Sequence, residues 1–352
     1  LTDRLDDPLE IFADVVLHPA FPDAELTRLR RLTLARIRQE QTRPVSMALR
    51  VLPKLLYGDG HAYAQPLTGS GTIETVTGIT RDDLTTFHST WFRPDNAKLI
   101  VVGNFDIADL SARIERLFGD WQGGDRPAKN LDAERTERTR AVYLVDRPGA
   151  DQSVIFAGQL VPPRANPDEI ALQTMNDILG GLSSARINMN LRENKGWSYG
   201  AYSMIVGARG ARPLLFYAPV QTDRTQAAIR EMRAEIDGII GDRPPTAAEL
   251  DVVKRSKTLS LPGRWETNAD ILGALREVVS FGLPDHYWSG YAAGINTLSV
   301  SDVEGAAGRY LRPDDLVWVI VGDRTRIEPG LRELGLGDVR LIDSDGNPIA
   351  AP

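Results

Sequence analysis

The chain has 352 residues, with 41 Lys+Arg against 48 Asp+Glu, a formal net charge of -7, four His and no Cys. Length alone corresponds to about two domains, and the acidic balance argues against a broad nucleic-acid footprint. The lack of Cys excludes disulfides, thiolate nucleophiles, Fe–S clusters and Cys-ligated zinc; no apolar run of about 18 residues is present to span a membrane.

The first ten residues, with Asp3, Arg4, Asp6, Asp7 and Glu10, read neither as a signal peptide nor as a tidy N-terminus, but as a chain entered within a domain. Leu26, Leu29, Leu32 and Ile37 recur at helical spacing and predict a helix over 21–41. A second helix is expected over 44–57, then a glycine-rich loop over 58–78. Thr80 with Asp83 predicts a capped helix start. Residues 97–103 read as a short buried strand, and 106–118 as a helix ended by Gly119. The polar stretch after it, with Gly123 and Gly124, is the natural linker. Two apolar runs, 141–146 and 152–160, joined by Arg147-Pro148-Gly149-Ala150, carry a hairpin signature. Helices are expected over 166–180 and 183–194, strands over 197–207 and 212–221, and an amphipathic helix over 222–241. Thr246 with Glu249 and Ser299 with Asp302 open further helices, 266–282 is another, and 316–322 is a closing strand. The tail, 341–352, is expected to be loose or a surface turn. Clustered strands and consecutive helices argue an α+β fold, with helices packed on one face of a mostly antiparallel sheet.

Self-similarity is the most informative feature. Trp91-Phe-Arg-Pro-Asp95 matches Tyr310-Leu-Arg-Pro-Asp314, and Leu99-Ile-Val-Val-Gly103 matches Trp318-Val-Ile-Val-Gly322, with an offset of 313 − 94 = 219 at the prolines and 322 − 103 = 219 at the glycines. Ala24-Glu-Leu26 matches Ala248-Glu-Leu250 at an offset of 249 − 25 = 224. So long a period means two duplicated domains. The second copy starts near Ala141, and 141 − 224 = −83, so the first copy is expected to lack its opening segment and the chain to be part of a longer polypeptide. The expected division is 1–125 for a truncated first copy, 126–140 for the linker, 141–340 for a complete second copy and 341–352 for the tail.

Four stretches carry a family resemblance: Phe21-Pro-Asp-Ala-Glu-Leu26 with Leu34-Ala-Arg-Ile-Arg38 and Arg43-Pro44; Leu56-Tyr-Gly58 with His61-Ala-Tyr63; Arg93 to Gly103; and Leu179-Gly-Gly181 with Ser184-Ala-Arg186 and Leu191-Arg-Glu-Asn-Lys-Gly-Trp-Ser-Tyr-Gly-Ala-Tyr-Ser203. On these the chain resembles the insulinase/pitrilysin family of zinc peptidases, the inverzincins. The resemblance implies two homologous α+β domains of the LuxS/processing-peptidase type. Catalysis in that family needs His-x-x-Glu-His on one helix plus a distant Glu, because residues i and i+4 share a helical face and bring two imidazoles to one Zn²⁺. No His-x-x-Glu-His occurs in this chain, and the equivalent helix of the second copy, Ala171 to Leu179, has no His. By alignment on Leu34, Ile37 and Pro44, the distant zinc-ligand position carries Arg36 and a supporting Glu position carries Leu29. A guanidinium repels a divalent cation, so no metal site is expected here, and zinc is expected in a catalytic partner half.

The resemblance also implies a role for Arg192 and Tyr199, seven residues apart. In the family's non-catalytic half an Arg and a Tyr at this spacing point into the shared chamber, bind the substrate backbone and help stabilise the tetrahedral oxyanion. The expected function is therefore a non-catalytic half that completes a peptide-binding chamber with a zinc-bearing half, fused or separate. The expected partners are a peptide and that half, with no nucleic acid and no membrane span. The residues leave alternatives open. Arg192 also reads as a surface charge paired with Glu193, Tyr199 as one of several strand aromatics, and the whole chain as a peptidase-derived structural subunit without proteolytic role. Gly180-Gly181 reads as a helix-ending turn, His61 as a structural hydrogen-bonding residue, and Trp197 and Trp265 as core. A bacterial periplasm or envelope is favoured by the style of such peptidases.

Overall fold

The computed structural model describes residues 4–125, 127–131 and 140–349. Most of the expected linker, 126 and 132–139, lies outside the described residues. The elements in order are α1 (Asp6–Leu17), α2 (Asp23–Glu40), α3 (Pro44–Tyr57), α4 (Ile73–Gly78), α5 (Arg81–Trp91), α6 (Ile107–Phe118), β1 (Ala141–Asp146), β2 (Gln152–Val161), α7 (Glu169–Asn176), α8 (Arg186–Asn188), β3 (Tyr202–Ile205), β4 (Arg212–Gln221), α9 (Thr225–Ile240), α10 (Ala247–Ser260), α11 (Asn268–Phe281), α12 (Tyr287–Thr297), α13 (Val300–Tyr310), β5 (Val317–Gly322), α14 (Arg324–Arg332) and β6 (Asp338–Ile342). α7 and α8 each run on into a wider π-turn, Asp177–Gly181 and Met189–Asn194. The capping boxes expected at Thr80/Asp83, Thr246/Glu249 and Ser299/Asp302 are all formed, each satisfying two otherwise orphaned helix-start N–H groups.

The chain divides into two compact units. The larger comprises 37–71, 130–261 and 280–352 and contains the sheet. Its strand order is β3-β4-β2-β5-β1-β6. β2–β4, β3–β4 and β2–β5 are antiparallel, while β1–β5 and β1–β6 are parallel. The fold is the expected α+β class with a mixed sheet.

The sheet is covered on both faces. Alternate side chains of a strand point to opposite faces, and β5 shows it: Trp318 and Ile320 join one core, Val319 and Val321 the other. The first core packs α7, α9, α13 and α14 on the sheet through Leu172, Met175, Ile229, Met232, Val303 and Ile327. The second is closed by α3, whose Met47, Ala48, Val51, Leu52 and Leu56 pack on Tyr143, Val154, Phe156, Leu215 and Val319. Each such Val, Leu, Ile, Met or Phe side chain contributes about 1.5–3 kcal/mol by leaving water. α3 thus covers the face that the sequence left open. The tail is a surface turn tied to α3. Ile342 bridges Pro348, and Asp345 accepts from the buried Arg50 at 2.6 Å, which also donates to Glu40 and Ser70.

Gly180 marks a close approach. A Cβ built there would stand 2.5 Å from the Ser203 backbone N and Oγ. Gly180→Ala is expected to destabilise the chain by about 1–3 kcal/mol through overpacking, read as a lowered urea midpoint at unchanged m-value. A midpoint equal to wild type would show that the turn gives way.

The smaller unit comprises 1–36, 72–129 and 262–279. Within it Phe12 meets Phe118 edge-on at 6.2 Å, and Arg116 pairs with Glu10 at 3.3 Å. Residues 97–103, expected to be a buried strand, are neither paired nor buried: Leu99 is 49% exposed. A strand needs a hydrogen-bonded neighbour, and none stands beside this segment among the described residues. Two other expectations are corrected. The strand over 197–207 shrinks to Tyr202–Ile205, and Trp265 is 40% exposed on a 3₁₀ turn instead of core.

Candidate functional site

Arg192 and Tyr199 stand on the two arms of one tight turn in the larger unit. Arg192 lies in the π-turn that prolongs α8. That turn ends where Gly196 adopts φ +65°, the left-handed conformation that glycine enters without Cβ strain. Gly196 N–H donates to Arg192 O at 3.0 Å, and Trp197 N–H folds back onto Leu191 O at 2.9 Å. Trp197 O then accepts from Gln221 N–H, anchoring the returning arm to the end of β4. Lys195 Nζ lies 4.9 Å from the Trp197 ring centroid and pairs with Glu231. These contacts fix the backbone while leaving both candidate side chains outward. Tyr199 is 88% exposed, on a bend that Ser198 Oγ braces against Gly200. Arg192 is about half exposed and sits 3.3 Å from Glu193 Oε1. The neighbour pairing expected as the alternative is therefore present, and at such exposure it contributes about 0–1 kcal/mol. It leaves the guanidinium able to exchange partners.

The helix expected to match the family's catalytic helix is α7. Its carboxylates are already committed. Glu169, buried, accepts from Asn166 and Gln173 and is clamped between Arg164 (2.7 Å) and Arg212. Arg212 is fully buried, with its guanidinium pushed to lower pKa by desolvation against the opposing pull of Glu169. Asp177, where α7 enters its π-turn, is buried and paired with Lys257 of α10 at 2.8 Å. Burial raises the Asp177 carboxyl, and Lys257 opposes this without cancelling it.

That shift has a sign. The folded pKa lies above the unfolded one, so the native state binds the proton more tightly. The contribution of Asp177 to stability therefore grows as pH falls through the raised folded value toward the ordinary carboxylate range. The stability of wild type relative to Asp177→Asn is expected to increase as pH is lowered from neutrality to the ordinary carboxylate range, measured by urea unfolding. A flat difference would contradict the burial argument.

Among the described residues none of the four His joins a cluster able to hold a metal. His61 is buried and stacked on Tyr57 at 4.5 Å. Its Nδ1 accepts from Tyr63 N–H, so its Nε2 must carry the hydrogen toward Leu131 O, leaving no lone pair for a metal. His88 Nε2 faces Val16 O at 2.7 Å, His18 pairs with Asp14, and His286 stands at the N-cap position of α12 without a side-chain capping bond. Arg36 lies on α2 in the smaller unit. Among the described residues no three His, Asp or Glu side chains gather as a metal would require. The donors present do not fit zinc, and no step through zinc is derived in this chain. Sequence reasoning missed the Glu169–Arg212 and Asp177–Lys257 pairs. An Arg heading the apolar run Arg212-Pro-Leu-Leu-Phe was the one visible signal of a buried ion pair.

Comparison with known proteins identifies the family and the fold. A family model described as the peptidase M16 inactive domain matches residues 78–257, just over half of the chain and spanning Arg192 and Tyr199. An uncharacterized zinc protease of Mycobacterium leprae is 27% identical over 260 residues, which cover 73% of this chain and 57% of that protein. The chain thus spans under two thirds of that relative's length. A crystal structure of a peptidase M16 inactive domain from Pseudomonas fluorescens matches 91% of this chain and 75% of its own at 25% identity and TM-score 0.82. The first half of the periplasmic protease PqqL from Escherichia coli shares the fold over the whole chain and 77% of its own, with TM-score 0.69 at 16% identity. No described helix is long and apolar enough to cross a membrane. The resemblance read from the sequence is borne out, and the chain belongs to the peptidase M16 inactive-domain family.

Proposed function

We propose that the chain is the non-catalytic half of a zinc-dependent metalloendopeptidase. It completes a peptide-holding chamber against a zinc-bearing half, on the same longer polypeptide or a second chain, and presents Arg192 and Tyr199 to the substrate. The observation that carries this reading is the inactive-domain match over both residues. It is supported by the braced turn that leaves both side chains outward and by the commitment of Glu169 and Asp177 to internal cations. Arg36, at the family's ligand position, adds a charge that opposes metal binding. The zinc, held by the partner half, would activate water there. This chain's residues do the rest. Arg192 supplies a fixed cation, and the Tyr199 hydroxyl supplies a donor for a peptide carbonyl or the oxyanion that develops from it.

The test is reconstitution with the zinc-bearing half and cleavage of a fluorogenic peptide, resolving kcat from KM for Arg192→Ala, Tyr199→Phe and the double variant. Reduced cleavage with unchanged assembly supports the reading. Unchanged kcat and KM in the double variant would overturn it in favour of a structural subunit.

A further inference from the structure

The sequence holds three Asp-Gly pairs, Asp59-Gly60, Asp237-Gly238 and Asp345-Gly346, and the fold treats one of them unlike the other two. Asp followed by Gly is prone to cyclise, because glycine has no Cβ to block the approach of its nitrogen to the neighbouring carboxyl. Cyclisation needs an unclamped carboxyl, an amide nitrogen free of hydrogen bonds and room for the ring. At Asp237 all three are denied. Arg233 Nε donates to both carboxylate oxygens at 2.9 and 2.8 Å, Gly238 lies inside α9, and a Cβ on it would stand 2.6 Å from the Arg243 guanidinium. At Asp345 the carboxylate is held by Arg50 at 2.6 Å and Gln41 at 2.7 Å. Gly346 N–H donates to Asp343 O at 3.1 Å, and Val51 packs 3.5 Å from the Cβ position of Gly346. Asp59 differs on each count. Its side chain is 85% exposed and meets Lys54, itself 43% exposed, at 3.2 Å, a pairing that exchanges readily with water. Gly60 N–H makes no hydrogen bond among the described residues. Gly60 has φ +82° and nothing within 4 Å of its Cβ position.

We propose that Asp59 is a site of spontaneous isomerisation to isoaspartate, and that the change loosens the grip of the following loop on residues 130 and 131. The Gly60 amide nitrogen attacks Asp59 Cγ. A C–N bond forms, a C–O bond breaks, and the amide hydrogen leaves with the hydroxyl of the protonated carboxyl as one water. Solvent water then opens the resulting five-membered succinimide. Breaking the new Cγ–N bond restores Asp59. Breaking the bond between the Gly60 nitrogen and the Asp59 carbonyl carbon leaves the main chain running through the former side chain, one methylene longer. Water is the only co-reactant. The residues just downstream are sensitive to such lengthening. Gly60 O accepts from Asn130 Nδ2 at 2.8 Å, and Ala62 N–H donates to Asn130 O at 3.2 Å. Between them the buried His61, stacked on Tyr57, donates from Nε2 to Leu131 O at 3.2 Å. Three consecutive residues thus hold 130 and 131 in one register, and an inserted methylene beside Gly60 shifts it. All of these residues belong to the larger unit, and isomerisation at Asp59 is independent of any peptidase role.

Storage of the folded chain in warm neutral buffer, followed by peptide mapping with electron-transfer fragmentation, tests the site, because that fragmentation separates isoaspartate from aspartate of equal mass. Asp59 is expected to accumulate succinimide, one water lighter, and then isoaspartate, at least about 10-fold faster than Asp237 or Asp345. In concentrated urea, where clamps and packing are gone, the three pairs should react at rates within about 3-fold of one another. Hydrogen exchange on the aged chain tests the consequence. The amides of Ala62 and Tyr63, bonded to Asn130 O and to His61 Nδ1, should lose protection in the isomerised molecules, while Asp59→Ser aged alike should keep them protected. Asp237 or Asp345 reacting as fast as Asp59 in the folded chain would overturn the site. Ala62 and Tyr63 still protected in isomerised molecules would overturn the effect on the loop. Neither readout involves peptide cleavage, so failure here and failure of the peptidase reading are distinguishable.

Discussion

Arg192→Ala, in the chain assembled with its zinc-bearing half, is expected to lower kcat by about 10²–10³-fold, the usual effect of removing one donor aimed at a developing oxyanion. The π-turn, Gly196 and the Trp197–Leu191 hydrogen bond hold the backbone whatever stands at 192. Among the described residues the side chain makes only its exposed pairing with Glu193. Truncating it should therefore move folding stability by no more than about 0.5 kcal/mol. Arg192→Lys keeps the charge but loses the planar fork, so it should recover only part of the rate. A fall in kcat with unchanged urea midpoint is the expected pattern. A fall in midpoint that accounts for the lost rate would reassign Arg192 to structure.

Arg212→Met is expected to produce the largest loss of stability, about 3–5 kcal/mol, because removing one partner of a buried ion pair strands the other charge. Arg212 Nε also donates to Pro162 O at 2.8 Å, so an acceptor is orphaned as well. Arg164 remains beside Glu169 at 2.7 Å and limits the damage to the lower part of that range. In the double variant Arg212→Met/Glu169→Gln the buried carboxylate becomes a neutral amide, and part of the loss should return. Urea unfolding of the wild type, both single variants and the double variant gives the coupling directly. A double variant as unstable as the sum of the singles would contradict the account.

How much of this was legible in the sequence depends on whether the determinant is local. The capping boxes at Thr80, Thr246 and Ser299 were, because a cap is settled within four residues. So were β1, β2, β4 and β5, whose apolar runs demand burial wherever they sit. α1, α12 and α14 were not legible: a modest apolar pattern in α1, four glycines or alanines in the middle of α12 (Gly290, Ala292, Ala293, Gly294) and an internal Pro in α14 blur the helical period. β6 carries Asp338 and Arg340 and becomes a strand only because β1 offers it a free edge. The placement of α3 on the sheet is tertiary and has no local sign. At the candidate site the spacing of Arg192 and Tyr199 acquires meaning only through family resemblance. Glu169–Arg212 and Asp177–Lys257 join residues 43 and 80 positions apart, beyond any local pattern. The 97–103 strand shows the converse. Its local wording demanded a strand, but a strand exists only in company.

The central claim is that this chain holds the peptide and leaves the metal to its partner. The most direct measurement is zinc content and peptide hydrolysis by the isolated chain after equilibration with zinc and dialysis. The account predicts no stoichiometric zinc and no hydrolysis, since Glu169 and Asp177 are held by internal cations and His61 has no lone pair to offer. One tightly bound zinc per chain together with peptide cleavage would contradict it.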